Sequence, residues 1–165
     1  MIVVEKNSDA DFKDVIAIAN EVWPKTYGSI LGQAQLDYMM NMMYSIEALQ
    51  TQAKDKQHHF ILAKENNLSV GFASYEFDCN ATKKTKIHKI YVLSTQQGKG
   101  TGKMLLNYIA VEAKKQHNKA IFLNVNKYNS AQHFYKKLGF EITEEVVIDI
   151  GQGYVMDDYV MEKQV

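Results

Sequence analysis

Three glycines at alternate positions, Gly98, Gly100 and Gly102, lie in the run Gln97-Gly98-Lys99-Gly100-Thr101-Gly102, and Lys103 follows directly. Glycines let backbone N–H groups approach a ligand with no Cβ in the way. A helix starting here adds unpaired donors and a partial positive charge in its first turn. Lys99 and Lys103 add full charges, so a phosphate group is the natural guest. Spacing excludes two common nucleotide loops. G-x-x-x-x-G-K-S/T requires glycine where Gln97 stands and Ser or Thr where Met104 stands. G-x-G-x-x-G at the first strand of a fold fails as well, because the third glycine here comes two residues after the second and the loop falls mid-chain.

The surrounding elements must aim this loop. Ile2–Lys6 reads as a short strand. Asp9 or Asp11 caps a helix with Phe12, Val15, Ile16, Ile18 and Ala19 at helical spacing, and Pro24 ends it. A second helix over about Gln33–Met43 carries Leu36, Met39, Met40 and Met43 on one side, and Ser45 opens a third with Glu47 in its first turn. Phe60–Ala63 and Val70–Phe77 are strands joined by a turn at Glu65-Asn66-Asn67, and Thr82–Leu93 is a long strand leading into the glycine loop. Gly100–His117 is an amphipathic helix with Leu106, Ile109, Ala110 and Ala113 in register. Ala120–Val125 is an apolar strand of the buried, parallel type. A last helix starts at Asn129 or Ser130, carries Ala131, Phe134, Tyr135 and Leu138 on one stripe, and ends at Gly139. Phe140–Ile150 and Tyr154–Glu162 close the chain around Gly151-Gln152-Gly153. Short loops make the early strands antiparallel, and the strand–helix–strand passage through residues 100–125 is a right-handed parallel crossover. The expected architecture is α/β: a mixed sheet with helices on both faces, in one domain over residues 1–165.

The loop Gln97-Gly98-Lys99-Gly100-Thr101-Gly102 resembles the acyl-CoA loop Gln/Arg-x-x-Gly-x-Gly/Ala of the GNAT superfamily of acetyltransferases. Ile90-Tyr91-Val92 before it, the later run Phe134-Tyr135-Lys136-Lys137-Leu138-Gly139-Phe140 and the element order over nearly the whole chain are also similar to that superfamily. The resemblance implies an acetyl-CoA-dependent N-acetyltransferase. It implies that backbone groups of Ile90, Tyr91 and Val92 pair with the pantetheine arm like an added strand. The N–H groups of Gly98, Lys99, Gly100, Thr101, Gly102 and Lys103 would hold the pyrophosphate, with Gln97 opening the loop. Asn126 and Asn129 are two candidates for a cofactor contact, with a purely structural cap as the alternative.

Acetyl transfer to an amine needs a base, because an alkylamine holds its proton up to a pKa of about 10.4. It also needs a donor for the tetrahedral oxyanion and an acid for the leaving thiolate. The resemblance gives the acid role to Tyr135, whose alternative is plain packing beside Phe134 and Leu138. Glu76 and His88, on neighbouring strands, are the candidate bases. Adjacent His58 and His59 face opposite sides of a strand. The five histidines and single cysteine show no ligand spacing, so no metal is expected. Cys79 has no basic neighbour and reads as inert.

Trp23, Tyr27, Tyr38, Tyr44 and the segment Gly153–Tyr159 with Asp157 and Asp158 resemble the PaiA-like branch of the superfamily, which includes polyamine acetyltransferases. Aromatic rings and acids suit a cationic amine, and the same residues could equally be packing. Peptide or protein amines are the other acceptor class, and a CoA-binding module without catalysis or a nucleotide-phosphate binder are the other functions in view.

The 19 basic and 19 acidic residues balance, which leaves no field for nucleic acid. The apolar start of the chain is too short for a signal peptide, no stretch suits a membrane helix, and one cysteine fits a reducing compartment. The expected protein is cytoplasmic and binds neither nucleic acid nor membrane. Exposed Met and Tyr surfaces leave a homodimer open.

Overall fold

Ser8 starts the first helix: its hydroxyl accepts the Asp11 N–H at 3.3 Å, and the Asp11 carboxylate takes the Ser8 N–H at 3.1 Å. This capping box satisfies orphan donors from both sides. It assigns the cap to Ser8, not to Asp9 or Asp11, which fall inside the first turn. The computed structural model describes residues 1–5 and 8–165, so the Lys6 end of the expected first strand lies outside the described residues. The chain runs β1 (Ile2–Glu5), α1 (Asp9–Tyr27), α2 (Gln33–Tyr44), α3 (Ile46–Lys54), β2 (His59–Glu65), β3 (Leu68–Glu76) and β4 (Lys84–Val92). It continues through α4 (Thr101–Lys115), β5 (Ala120–Asn126), α5 (Ala131–Lys137), β6 (Glu141–Gly151) and β7 (Tyr154–Gln164). The strands make a mixed seven-stranded sheet in the order β1-β2-β3-β4-β5-β7-β6.

Residue contacts group into two units, one of Met1–Glu76 with His88–Ile109 and one of Phe77–Ile87 with Ala110–Val165. In the first, β1 and β2 are antiparallel, as are β2 and β3. Asn66 and Asn67 turn the β2–β3 hairpin at φ +50° and +64°, the left-handed pair that asparagine tolerates and a two-residue hairpin needs. Pro24 does not end α1, which runs on to Tyr27. The missing proline N–H costs one helical bond, but the Pro24 carbonyl still accepts from Gly28 at 2.9 Å. Trp23 and Tyr27 on either side of it are buried with their rings 4.5 Å apart, which holds the last turn in place.

In the second unit, Lys84–Ile87 run parallel to Ala120–Leu123, β5 pairs antiparallel with β7, and β7 with β6. The Asn118 carboxamide oxygen takes the Asp78 N–H at 3.0 Å and the Thr85 hydroxyl at 2.8 Å, which ties the loop before β4 to the loop before β5. Gly139 stops α5 at φ +90°. The Gly139 N–H reaches the Lys136 carbonyl at 3.1 Å and the Phe140 N–H the Tyr135 carbonyl at 3.0 Å, the paired bonds of a Schellman end. Phe134, expected on the buried stripe of this helix, is 38% exposed; a helix of seven residues buries only Tyr135.

Candidate active site

The glycine run forms an exposed loop between the 3-10 turn Ser94–Gln96 and α4, which starts at Thr101, one residue later than the expected Gly100. Gly98 and Gly100 stand at φ +78° and +81°. A Cβ at either would meet nothing within 4 Å, so it is the backbone conformation, not crowding, that calls for glycine. The Gly100 carbonyl accepts the Met104 N–H at 2.9 Å, the first helical bond. The N–H groups before Met104 therefore have no acceptor inside α4 and point out of its start. Lys99 is different: its N–H donates to the Gln96 carbonyl at 3.2 Å. Its ammonium lies 3.8 Å from Glu65. Thr101 is buried, its hydroxyl on Gln96 and the Met1 sulfur, whereas Gln97 and Lys103 are exposed.

Upstream, the parallel ladder of β4 stops at Ile87, and Ile90, Tyr91 and Val92 lie beyond its last rung. Gly71 permits β3 to approach this stretch, since a Cβ there would sit 3.1 Å from the Tyr91 carbonyl oxygen and 3.2 Å from Val92 Cγ2. The Tyr91 side chain joins a cluster of rings: its hydroxyl is 3.1 Å from that of Tyr27, and its ring is 5.8 Å from Trp23 and 5.7 Å from Phe72. Trp23 donates to the Tyr44 hydroxyl at 3.1 Å. Burial, and then Tyr27, raise the Tyr44 phenol well above its ordinary value. Trp23, Tyr27 and Tyr44, which the sequence leaves open between acceptor binding and packing, are buried and back β4.

Beside this cluster Lys89 is buried, donates to Gln52 Oε1 at 2.6 Å and lies over the Tyr44 ring. Burial, with Lys56 adding to it, lowers its amine to about 7. The alternation of β4 puts Lys89 at the same parity as buried Thr85 and Ile87, a signal its charge masks in the sequence. The two candidate bases meet: His88 Nε2 is 2.8 Å from Glu76 Oε2. His58 joins them, its ring stacked on His88 with centroids 3.8 Å apart. His59 turns elsewhere and stacks on Tyr75.

Tyr135 and the two asparagines belong to the second unit. Tyr135 is 7% exposed, with ring centroids 5.4 Å from Phe134 and 5.7 Å from Phe140. Asn126 accepts the Tyr128 N–H and Asn129 the Ala131 N–H, each at 2.9 Å, so both carboxamide oxygens cap the β5–α5 connection. Asp157 pairs with Lys127 at 2.9 Å, as does Glu145. Glu145 first, then Asp157, hold the Lys127 ammonium above the ordinary lysine range. Asp158 is only 2% exposed in β7, and its Oδ1 has no hydrogen-bond partner. Burial raises its carboxyl above the usual aspartate value, Asp157 adding to this and Asn124 and Lys86 opposing it. The residues flanking Asp158 in sequence give no sign of this burial.

Residues 30–158 match the family described as the acetyltransferase (GNAT) domain. The chain is 32% identical over 90 residues to the [ribosomal protein bS18]-alanine N-acetyltransferase of Haemophilus influenzae, a match covering 54% of this chain and 56% of that protein. It is 30% identical over 91 residues to the L-amino acid N-acyltransferase MnaT of Escherichia coli, covering 52% of each. The chain thus spans about half the length of the curated relatives it matches. Among solved structures, the PaiA N-acetyltransferase of Thermoplasma acidophilum in complex with coenzyme A superposes over 100% of both chains with a TM-score of 0.81 at 24% identity, a likeness of fold.

Proposed function

This chain belongs to the GNAT acetyltransferase family, and on that premise we propose that residues 1–165 act as one N-acetyltransferase domain, moving an acetyl group from acetyl-CoA to a primary amine. The observation that carries this reading is the exposed loop with Gly98 and Gly100 in left-handed conformation, feeding the start of α4. Backbone donors of Gly98, Gly100, Gly102 and Lys103 bind the pyrophosphate, and Lys103 adds charge. Ile90, Tyr91 and Val92, beyond the β4 ladder, bind the pantetheine arm through their backbone. The structural likeness to a protein in complex with coenzyme A supports that donor.

The step is a direct displacement. The amine nitrogen attacks the thioester carbonyl carbon and gives up its proton to the His88 imidazole, which the Glu76 carboxylate orients across their 2.8 Å contact. A nitrogen–carbon bond forms, the carbon–sulfur bond breaks, and Tyr135 protonates the departing thiolate; His88 then releases its proton to solvent and the tyrosinate takes one up, restoring both groups. This transfer routes no step through a metal.

Among acceptors, we favour an α-amine of an amino acid or peptide terminus over a polyamine. Trp23, Tyr27 and Tyr44 are buried in packing and Asp157 pairs with Lys127, which takes up half of the aromatic and acidic set that a polyamine would use. The names of the two curated relatives, an alanine N-acetyltransferase and an L-amino acid N-acyltransferase, support the same class. Among the described residues no helix is long and apolar enough to cross a membrane. The lone buried Cys79 fits a reducing compartment, so we place the protein in the cytoplasm. Exposed Ile142 and Val147, registered against Met161 and Asp157 and so on one face of β6, the last strand in the sheet order, offer apolar surface for a homodimer.

The test is free-thiol release from acetyl-CoA with a panel of amino acids, short peptides with free N-termini, lysine-bearing peptides with blocked N-termini, and spermidine. Amine-dependent thiol release fastest with the first two groups supports the reading. Fastest release with spermidine restores the polyamine class, and binding of CoA without release for any amine leaves a module that no longer catalyses.

A further inference from the structure

A carboxylate–imidazole hydrogen bond accounts for Glu76 and His88 by themselves, but not for a second imidazole brought to the same place. His58 is 8% exposed, and its ring lies 17° from parallel to that of His88. One donor atom from each of His58, Glu76 and His88 lies within 4.8 Å of the others. We propose that these three residues form a binding site for a divalent transition-metal ion, zinc being the ion their chemistry suits best.

The donor set comes first. Two neutral imidazoles and one carboxylate are borderline ligands that favour zinc and its neighbours over magnesium or calcium, which take oxygen alone. Three protein ligands leave a position for water. The carboxylate lowers the charge a dication brings into a half-buried place. The scaffold comes second. Glu76 is the last residue of β3 and His88 sits within β4. His58 is pinned just before β2 by its own N–H on the Gln52 carbonyl at 2.9 Å. Three separate segments therefore deliver the ligands from strands or strand ends, which are stiffer supports than loops.

Distances fit a small rearrangement. Ligand atoms on a tetrahedral zinc lie roughly 3.3 Å apart, and His88 Nε2 and Glu76 Oε2 are 2.8 Å apart. Stacked rings direct their in-plane lone pairs side by side, so one imidazole must swing about χ2 to converge on the ion. That torsion is broad and soft for histidine. His59, stacked on Tyr75, takes no part and serves as a control.

The experiment titrates the purified protein with Co2+ as a spectroscopic probe and then with Zn2+. The expected result is one equivalent of Co2+ giving visible ligand-field bands, displaced by one equivalent of Zn2+. His58→Phe keeps a flat ring and removes the nitrogen; it and Glu76→Gln should each weaken Zn2+ binding by on the order of tenfold or more, whereas His59→Ala should not. Wild-type protein without a Zn2+-displaceable band overturns the proposal whichever variants fold, and so does undiminished binding by a folded His58→Phe. Turnover plays no part in this readout, so failure of the metal site and failure of the base assignment are distinguishable; an ion held by both Glu76 and His88 would replace their hydrogen bond, so metal-loaded protein would not use His88 as that base.

Discussion

Tyr135 is buried between Phe134 and Phe140, so phenylalanine at this position keeps the packing and removes only the hydroxyl. If the hydroxyl protonates the thiolate, Tyr135→Phe should lower kcat about 100-fold or more, the usual scale of a lost general acid. The KM for acetyl-CoA and the thermal midpoint should stay close to wild type; steady-state kinetics and a melting curve check this, and unchanged kcat removes the role. Asp158 offers a test by pH. Its folded-state carboxyl titrates above the ordinary value of 3.8, so the folded protein binds more protons than the unfolded chain between those two values. Its contribution to stability is whole below the ordinary value and is lost as pH rises through the folded one. Asp158→Asn has no such loss. Its urea midpoint should gain on wild type between acidic and neutral pH, and a constant gap would contradict this sign.

At the scale of elements, the glycine loop and the start of α4 work together. A side chain at Gly98 meets open space, so the penalty in Gly98→Ala is the left-handed backbone, about 1–2 kcal/mol. If the loop relaxes to avoid it, the N–H groups no longer converge, and KM for acetyl-CoA should rise about tenfold with kcat little changed; titration of CoA affinity checks this. Element types and order were legible in the sequence because each segment carries its own period: alternation or apolar runs in β2, β3 and β5, a 3.6-residue stripe in α4. Ends were less legible. Ser8, Asp9 and Asp11 are all capping residues, and only the Ser8–Asp11 reciprocal bonds pick one. Pro24 reads as a stop by local rules, yet buried Trp23 and Tyr27 carry the helix through it.

For the molecule as a whole, balanced charge and the exposed apolar residues of β6 matter together. Val147 is 67% exposed on that strand, and an unpaired strand edge invites pairing with another copy. Zero net charge offers no overall repulsion against it, so the opposition is local, from Glu141, Glu144, Glu145 and Asp149 on the strand itself. If β6 carries a homodimer, Val147→Glu should shift the sedimentation profile from dimer toward monomer without lowering the unfolding free energy by more than about 0.5 kcal/mol, as expected for a surface position. A wild-type monomer at all concentrations would remove the dimer.

The sequence by itself determined the family-level outline: the element order, the loop Gln97–Gly102 and its helix, and the exclusion of two nucleotide loops. These depend on residues close in the chain, where spacing and backbone preference act directly. Only the tertiary structure decided which distant side chains meet. It joined Glu76 with His88 and added His58, although His58 and Glu76 are 18 positions apart in the chain. It buried Trp23, Tyr27 and Tyr44, which the sequence leaves open between acceptor binding and packing, and with them Asp158 and Lys89. A local pattern records that a segment has an inner face. It does not record what the opposite wall contributes, and burial and proton affinity are set there.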